Sequence, residues 1–143
     1  MSIETMVQEG RIHPFKATRE EITKVRGIAK RDLSEAEQIK GTSLDWTYSS
    51  AYNAVLQACR AFMFHKGYRP ANYEAHKAAF EFMQLTVEER LKPTIDYFDR
   101  ARKKRHRITY ESAGLVSEKE TEQLIKKAKE FLAYVEETVE KSL

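Results

Sequence analysis

Three times along the chain a threonine or serine is followed three residues later by glutamate, in Thr18-Arg19-Glu20-Glu21, Thr86-Val87-Glu88-Glu89 and Ser117-Glu118-Lys119-Glu120. In such a capping box the hydroxyl accepts from the N3 backbone N–H and the glutamate reaches back to the N-cap amide, so two unpaired donors of a helix start are satisfied together. Each box is followed by apolar residues recurring at spacings of three and four. Ile22, Val25, Ala29, Leu33, Ala36 and Ile39 follow the first, Leu91, Ile95, Phe98 and Ala101 the second, and Leu124, Ala128, Phe131, Leu132, Val135 and Val139 the third. That period belongs to helices with one buried face.

The same spacing predicts two more helices. One spans about 44–66, with Tyr48, Ala51, Tyr52, Val55, Ala58, Cys59 and Phe62 on its periodic face, and is apolar round so much of its girth that it should be the most buried. The other is short, about 72–84, and carries Tyr73, His76, Ala79, Phe80 and Met83. Gly41 and Gly67 are placed to end the first and second helices, and Pro70 stops the second from continuing. Pro93 either kinks the fourth helix or marks its true start. With only five Gly and three Pro in 143 residues, the many tight turns of an all-β fold are not available. The expectation is an all-α chain, an up-and-down antiparallel four-helix bundle plus a short extra helix. Residues 1–17, which contain Gly10 and Pro14 and no sustained periodicity, read as an extended arm packed only in part, with the bundle domain at 18–143.

Several function classes are disfavoured. The lone Cys59 lies among Val55, Ala58 and Phe62, as a small core filler would, and implies no disulfide or redox role. His13, His65, His76 and His106 show no zinc-ligand spacing, so no metal and no cofactor are expected. The first fifteen residues form neither a secretion signal nor a membrane anchor, and no apolar run approaches the roughly 20 residues of a span, which points to a cytoplasmic protein with no membrane partner.

Net charge is only +3, but the charge is concentrated. Arg100-Ala101-Arg102-Lys103-Lys104-Arg105-His106-Arg107 packs six cations and an imidazole into about two helical turns. Arg102 and Arg105 extend the stripe of Leu91, Ile95 and Phe98 and should face the bundle or a partner, with Lys103, Lys104 and Arg107 pointing more outward. Two readings stand. The run is either a solvated helix end, its cations complementing the dipole and balancing Asp96, Asp99 and Glu111, or a phosphate-binding surface in which Arg100, Arg102, Lys103, Lys104, Arg105 and Arg107 hold RNA. If RNA is cleaved, its 2′-hydroxyl needs a proton acceptor, and His106 and Tyr110 are the candidates beside the arginines.

At this point the chain resembles the HEPN domains over about 18–143. The resemblance rests on the alanine- and tyrosine-rich stretch from Ala51-Tyr52-Asn53-Ala54 to Ala58-Cys59-Arg60-Ala61, then His65-Lys66-Gly67-Tyr68, His76, Arg105-His106-Arg107-Ile108-Thr109-Tyr110, and a last helix opened by Ser117. It implies a bundle that dimerises with the arginine motif of both protomers lining one cleft, and an RNA- or nucleotide-binding role or a metal-independent ribonuclease activity. It also implies, for some members, a toxin paired with a nucleotidyltransferase antitoxin. The family's motif is an arginine, a polar residue, a short gap and a histidine. With Arg105 as motif arginine, His106 takes the polar position and Tyr110 stands for the histidine, an Arg-x4-Tyr variant; a register from Arg100 to His106 also satisfies the loose spacing.

These readings yield a candidate catalytic set of Arg105, His106 and Tyr110 within the basic run. For Arg105 and Tyr110 to act on one phosphate the helix must end or unwind near Ile108. A phenol is a poor base at neutral pH, which favours binding over rapid turnover. Phe62, Met63 and Phe64 in succession suggest more apolar surface than one bundle needs, and hence a homodimer. The alternative function is a non-catalytic interaction module that pairs with a nucleotidyltransferase or other protein, the basic run serving as docking charge.

Overall fold

The structure, a computed structural model, describes residues 1–72, 74–111 and 113–141. Tyr73, read above as part of the third helix, and residues 142–143 of the bundle domain lie outside them. The elements are α1 (Ile3–Gln8), β1 (Ile12–Pro14), α2 (Arg19–Gln38), α3 (Leu44–Lys66), β2 (Tyr68–Pro70), α4 (Ala75–Thr86), a 3-10 turn (Glu89–Leu91), α5 (Lys92–Tyr110) and α6 (Glu118–Glu140). The long helices α2, α3, α5 and α6 form the all-α bundle, and the short α4 packs on α3 and α5.

Two of the three capping boxes are formed. Thr18 and Ser117 each accept from the N3 amide, at 3.1 and 3.0 Å, while Glu21 and Glu120 accept from the cap amides. The box at Thr86 is not. The Thr86 hydroxyl instead donates to the Phe82 carbonyl at 2.9 Å, one turn back inside α4, and Val87 is extended. A threonine that bonds its own helix is lost to the next one. Helix α5 therefore begins at Lys92 with Pro93 in its first turn, where the missing N–H costs nothing, and the proline is a start rather than a kink. Helix α4 begins at Ala75, later than the apolar pattern suggests, because Glu74 has φ +50°, a left-handed conformation through which a right-handed helix cannot extend.

Helix α3 is the hub, packing against α2, α4, α5 and α6. Small residues let neighbours approach it closely: Ala51, Ala54, Ala58, Cys59 and Ala61 are buried, interleaved with Tyr52, Val55, Phe62 and Met63. Burial pushes the Cys59 thiol up, so it stays protonated and serves as core. The direction of α6 against α2 can be read from its ion pairs: Arg26 with Glu140 at 2.9 Å, Lys30 with Glu136 at 3.0 Å, Glu37 with Lys129 at 2.5 Å and Lys40 with Glu122 at 3.9 Å. One number rises as the other falls, so the helices are antiparallel. Such partly exposed pairs are each worth about 0–1 kcal/mol and report the register more than they create it.

The segment 1–17 departs from the reading of an extended, partly packed arm. Ser2 caps α1, and Met6 and Ile12 are fully buried in the common core. Gly10, at φ +71°, turns the chain into β1, which pairs antiparallel with β2 in the register Ile12↔Pro70, His13↔Arg69 and Pro14↔Tyr68. The Phe15 N–H then donates to the Gly67 carbonyl at 2.8 Å, and the Phe15 ring lies 4.9 Å from that of Phe64. The N-terminal segment thus covers the far end of α3. Phe62, Met63 and Phe64 are all buried within one chain, which removes the apolar excess that suggested a dimer.

Candidate nucleic-acid interface

The basic run occupies the second half of α5, and its cations divide among different tasks. Arg102, half-buried, donates from Nε to Asp99 Oδ1 at 2.8 Å, an (i, i+3) pair on its own helix. Lys104, which the helical spacing sends outward, is half-buried and pairs with Glu120 of α6. Arg107 is exposed and 3.7 Å from Glu111. Arg100 is exposed, its guanidinium 5.9 Å from the Tyr97 ring centre, and Lys103 is exposed. The outward cations available to a polyanion are therefore Arg100, Lys103 and Arg107.

Arg105 is different. Its guanidinium carbon lies 5.7 Å above the ring of the fully buried Tyr52, and its Nε is buried with no hydrogen-bond partner among the described residues. It lines a cavity of about 740 Å³ between the C-terminal part of α2, the first turns of α3 and the end of α5. Asn53, Ser49, Ser50, Ile39 and Ile108 share its wall, and Trp46 stands at it with 72% of its surface exposed. Three carboxylates line it, each facing another partner: Asp32 accepts from Arg31 at 3.0 Å, Asp45 accepts the Gly114 N–H at 3.0 Å, and Glu35 lies 3.9 Å from Arg31. Among the described residues Arg105 has no carboxylate partner, and an unpaired guanidinium that is partly desolvated is costly unless an anion completes it.

Behind Arg105 lies an inner relay. The Tyr52 hydroxyl is 3.0 Å from His76 Nδ1, and the two rings are 5.8 Å apart. Burial pushes the Tyr52 phenol up, and burial followed by the charges of Arg105 and Arg102 pushes the His76 imidazole below its ordinary 6.5. Both groups are thus neutral at pH 7, and the cations stay close to them. Tyr52, read from the sequence as core, carries the Arg105 guanidinium over its ring, and His76, read as a partly buried hydrogen-bonded residue, bonds the Tyr52 hydroxyl.

The other two candidate catalytic residues, His106 and Tyr110, are not brought to Arg105. Helix α5 does not unwind near Ile108; it runs on to Tyr110, with the Thr109 hydroxyl donating to the Arg105 carbonyl at 2.9 Å. Over five residues of helix Tyr110 turns about 140° from Arg105. It is 72% exposed and lies against His106, ring centres 4.8 Å apart, on the outer face. The register from Arg100 to His106 gathers nothing either, since both side chains are exposed and Arg100 lies over Tyr97. Trp46, exposed at the cavity, is marked in the sequence only as an aromatic standing off the periodic face of α3. No group of three or more potential metal ligands occurs among the described residues, and no helix among them is long and apolar enough to cross a membrane.

A family model of the HEPN domain matches residues 22–138. The chain belongs to the HEPN domain family. The match takes in most of α2 through most of α6, so Arg105, Tyr52 and His76 all fall inside the HEPN unit. Membership implies a nucleotide- or RNA-binding or RNase-like module. No curated protein and no solved structure matches this HEPN chain.

Proposed function

We propose that this HEPN domain binds RNA without turning it over rapidly, holding a phosphate on Arg105 while Arg100, Lys103 and Arg107 track the backbone outside the cleft. The observation that carries the reading is the Arg105 guanidinium, stacked on Tyr52 with no carboxylate partner among the described residues, at the edge of a cavity that also presents an exposed tryptophan. Arginine's planar fork suits a phosphate, and an exposed indole is a platform for a base. What speaks for binding over ribonuclease chemistry is the placement of His106 and Tyr110, turned together to the outer face. The other titratable ring near Arg105, His76, is bonded behind Tyr52. Under this reading a toxin's ribonuclease activity would require a proton acceptor beside Arg105, which His106 and Tyr110 on the outer face do not supply.

The test is one labelled single-stranded RNA in two assays. Binding should weaken steeply with salt, since each phosphate contact releases about 0.7 counterion on a single strand, and a handful of contacts costs one to three decades between 50 and 200 mM. Cleavage in the same samples should be absent or slow and unchanged by His106→Ala and Tyr110→Phe. Rapid cleavage lost in either variant would restore the catalytic reading. Affinity independent of salt would remove the phosphate surface.

The same face supports the homodimer. Trp46, Ile39 and Ile108 give the cleft an apolar edge within one chain, and two copies meeting there would bring two Arg105 side chains to one groove. Sedimentation at micromolar concentration should give twice 16.7 kDa, and Trp46→Glu should return it to 16.7 kDa without unfolding. A parent protein that sediments as a monomer would leave the cleft to one chain. Pairing with a nucleotidyltransferase partner would use the same outward cations as docking charge.

A further inference from the structure

A second cavity, of about 380 Å³, shares no lining residue with the Arg105 cleft. Helix α3 supplies Gln57, Arg60 and Phe64, the strand β2 and the residues after it Arg69 and Asn72, and α4 His76. Arg60 is half-buried, yet held in place: its Nη1 donates to Gln57 Oε1 at 2.6 Å, and its guanidinium lies 5.5 Å from the centre of the Phe64 ring. Among the described residues no carboxylate pairs with Arg60 or with the exposed Arg69. A guanidinium serving only as a packed stem would keep its head in water or find a carboxylate. This one is preorganised, partly desolvated and without a counter-charge, and burial pushes it below its ordinary value. That is the condition of an arginine whose anion is supplied from outside.

His76 adds a neutral donor. The buried Tyr52 phenol has Nδ1 of His76 as its partner; with the phenol donating, the ring's own N–H is on Nε2. Two guanidinium forks, an imidazole N–H and the Asn72 amide offer more donors than the two oxygens of a carboxylate can use, and match the three oxygens of a terminal phosphate. The volume lies at the low end for small-molecule sites, too large for phosphate alone and sufficient for a small ester of it.

We infer that this cavity binds the terminal phosphate of a phosphate monoester, with Arg60 as the principal clamp, Arg69 as the second cation and His76 and Asn72 as neutral donors. The phosphate can belong to a free nucleoside monophosphate or to the 5′ end of an RNA. The site stands apart from the RNA-binding reading of the Arg105 cleft, and the two can fail separately.

Calorimetric titration with adenosine 5′-monophosphate, inorganic phosphate and adenosine tests it, with the Arg105→Ala protein run beside the parent so that the first cleft contributes nothing. Saturable binding of the monophosphate, weaker binding of phosphate and none of adenosine are expected in both proteins. Arg60→Gln should weaken the monophosphate by about tenfold or more and the exposed Arg69→Gln by about threefold, as loss of charge-assisted hydrogen bonds requires. Arg69→Gln keeps the test sound if Arg60→Gln does not fold. A 5′-phosphorylated RNA that binds more tightly than its 5′-hydroxyl twin, with the difference lost in Arg60→Gln, assigns the chain end as the source; equal affinities beside a bound monophosphate assign the free nucleotide. No saturable binding of any phosphate compound at millimolar concentration overturns the site. So does monophosphate binding that survives both arginine variants and disappears in Arg105→Ala.

Discussion

Replacing Arg105 by alanine is expected to lower RNA affinity by about tenfold to a hundredfold while changing the stability of the chain by no more than about 1 kcal/mol. The two halves of that expectation come from one geometry. The guanidinium stacks over Tyr52, and a cation over an aromatic face contributes about 0.5–2 kcal/mol. Against this stands a buried Nε with no partner among the described residues, a desolvation cost of similar size that truncation relieves. The protein alone therefore has little to lose. Bound RNA has a charge-assisted, two-pronged contact to lose. Filter binding at one fixed salt concentration and a thermal melt of the same preparations measure both. Arg105→Lys, which keeps the charge but not the fork, should recover only part of the affinity. Unaltered RNA binding in Arg105→Ala would return the basic run to a solvated helix end. A large loss of stability would make the arginine a structural residue whatever the binding showed.

Phe98→Ala is expected to cost about 3–5 kcal/mol of folding stability, the largest effect of any single substitution considered. Phe98 is fully buried on the inward stripe of α5, 5.3 Å from the Phe131 ring of α6 in an edge-on arrangement and 6.0 Å from Tyr97. Truncation removes both the transfer free energy of the ring and the packing around it, in a bundle whose neighbouring helices cannot collapse into the gap. For a domain of this size the unfolding midpoint should fall on the order of 10 °C. The residue sits two turns before Arg105, so it also tests whether the seat of the cation depends on the anchoring of α5. At temperatures where the variant remains folded, RNA affinity should stay within about threefold of the parent, because Arg105 rests on Tyr52 of α3 and not on Phe98. Denaturant unfolding giving a loss below about 1 kcal/mol would show that the stripe is less critical to the core than its burial implies.

Much of this protein is local in origin. The boxes at Thr18 and Ser117, the periodic stripes they open and the full extent of α3 follow from hydrogen bonds and contacts between residues three or four apart, and such interactions are written in neighbouring letters. The inward aim of Arg102 and Arg105 follows in the same way, by continuing a stripe at seven-residue spacing. What required the tertiary structure was every choice between competing partners. Thr86 had two helices it could serve, and its hydroxyl went to Phe82. The N-terminal segment has no period of its own because its order comes from Tyr68, Arg69 and Pro70, more than fifty residues away. The same non-local packing buried Phe62, Met63 and Phe64 within one chain. Helix α5 held its hydrogen bonds past Ile108, so Tyr110 parted from Arg105, while Tyr52 and His76, distant in the chain, became the arginine's actual surroundings. The sequence by itself determined that the chain is helical, which faces are apolar and where the positive charge is gathered, because those depend on spacing along one helix. Only the tertiary structure decided that Lys104 meets Glu120 of α6 and that Arg105 lies over Tyr52 with no carboxylate partner among the described residues, because that depends on what other helices bring within a few ångströms.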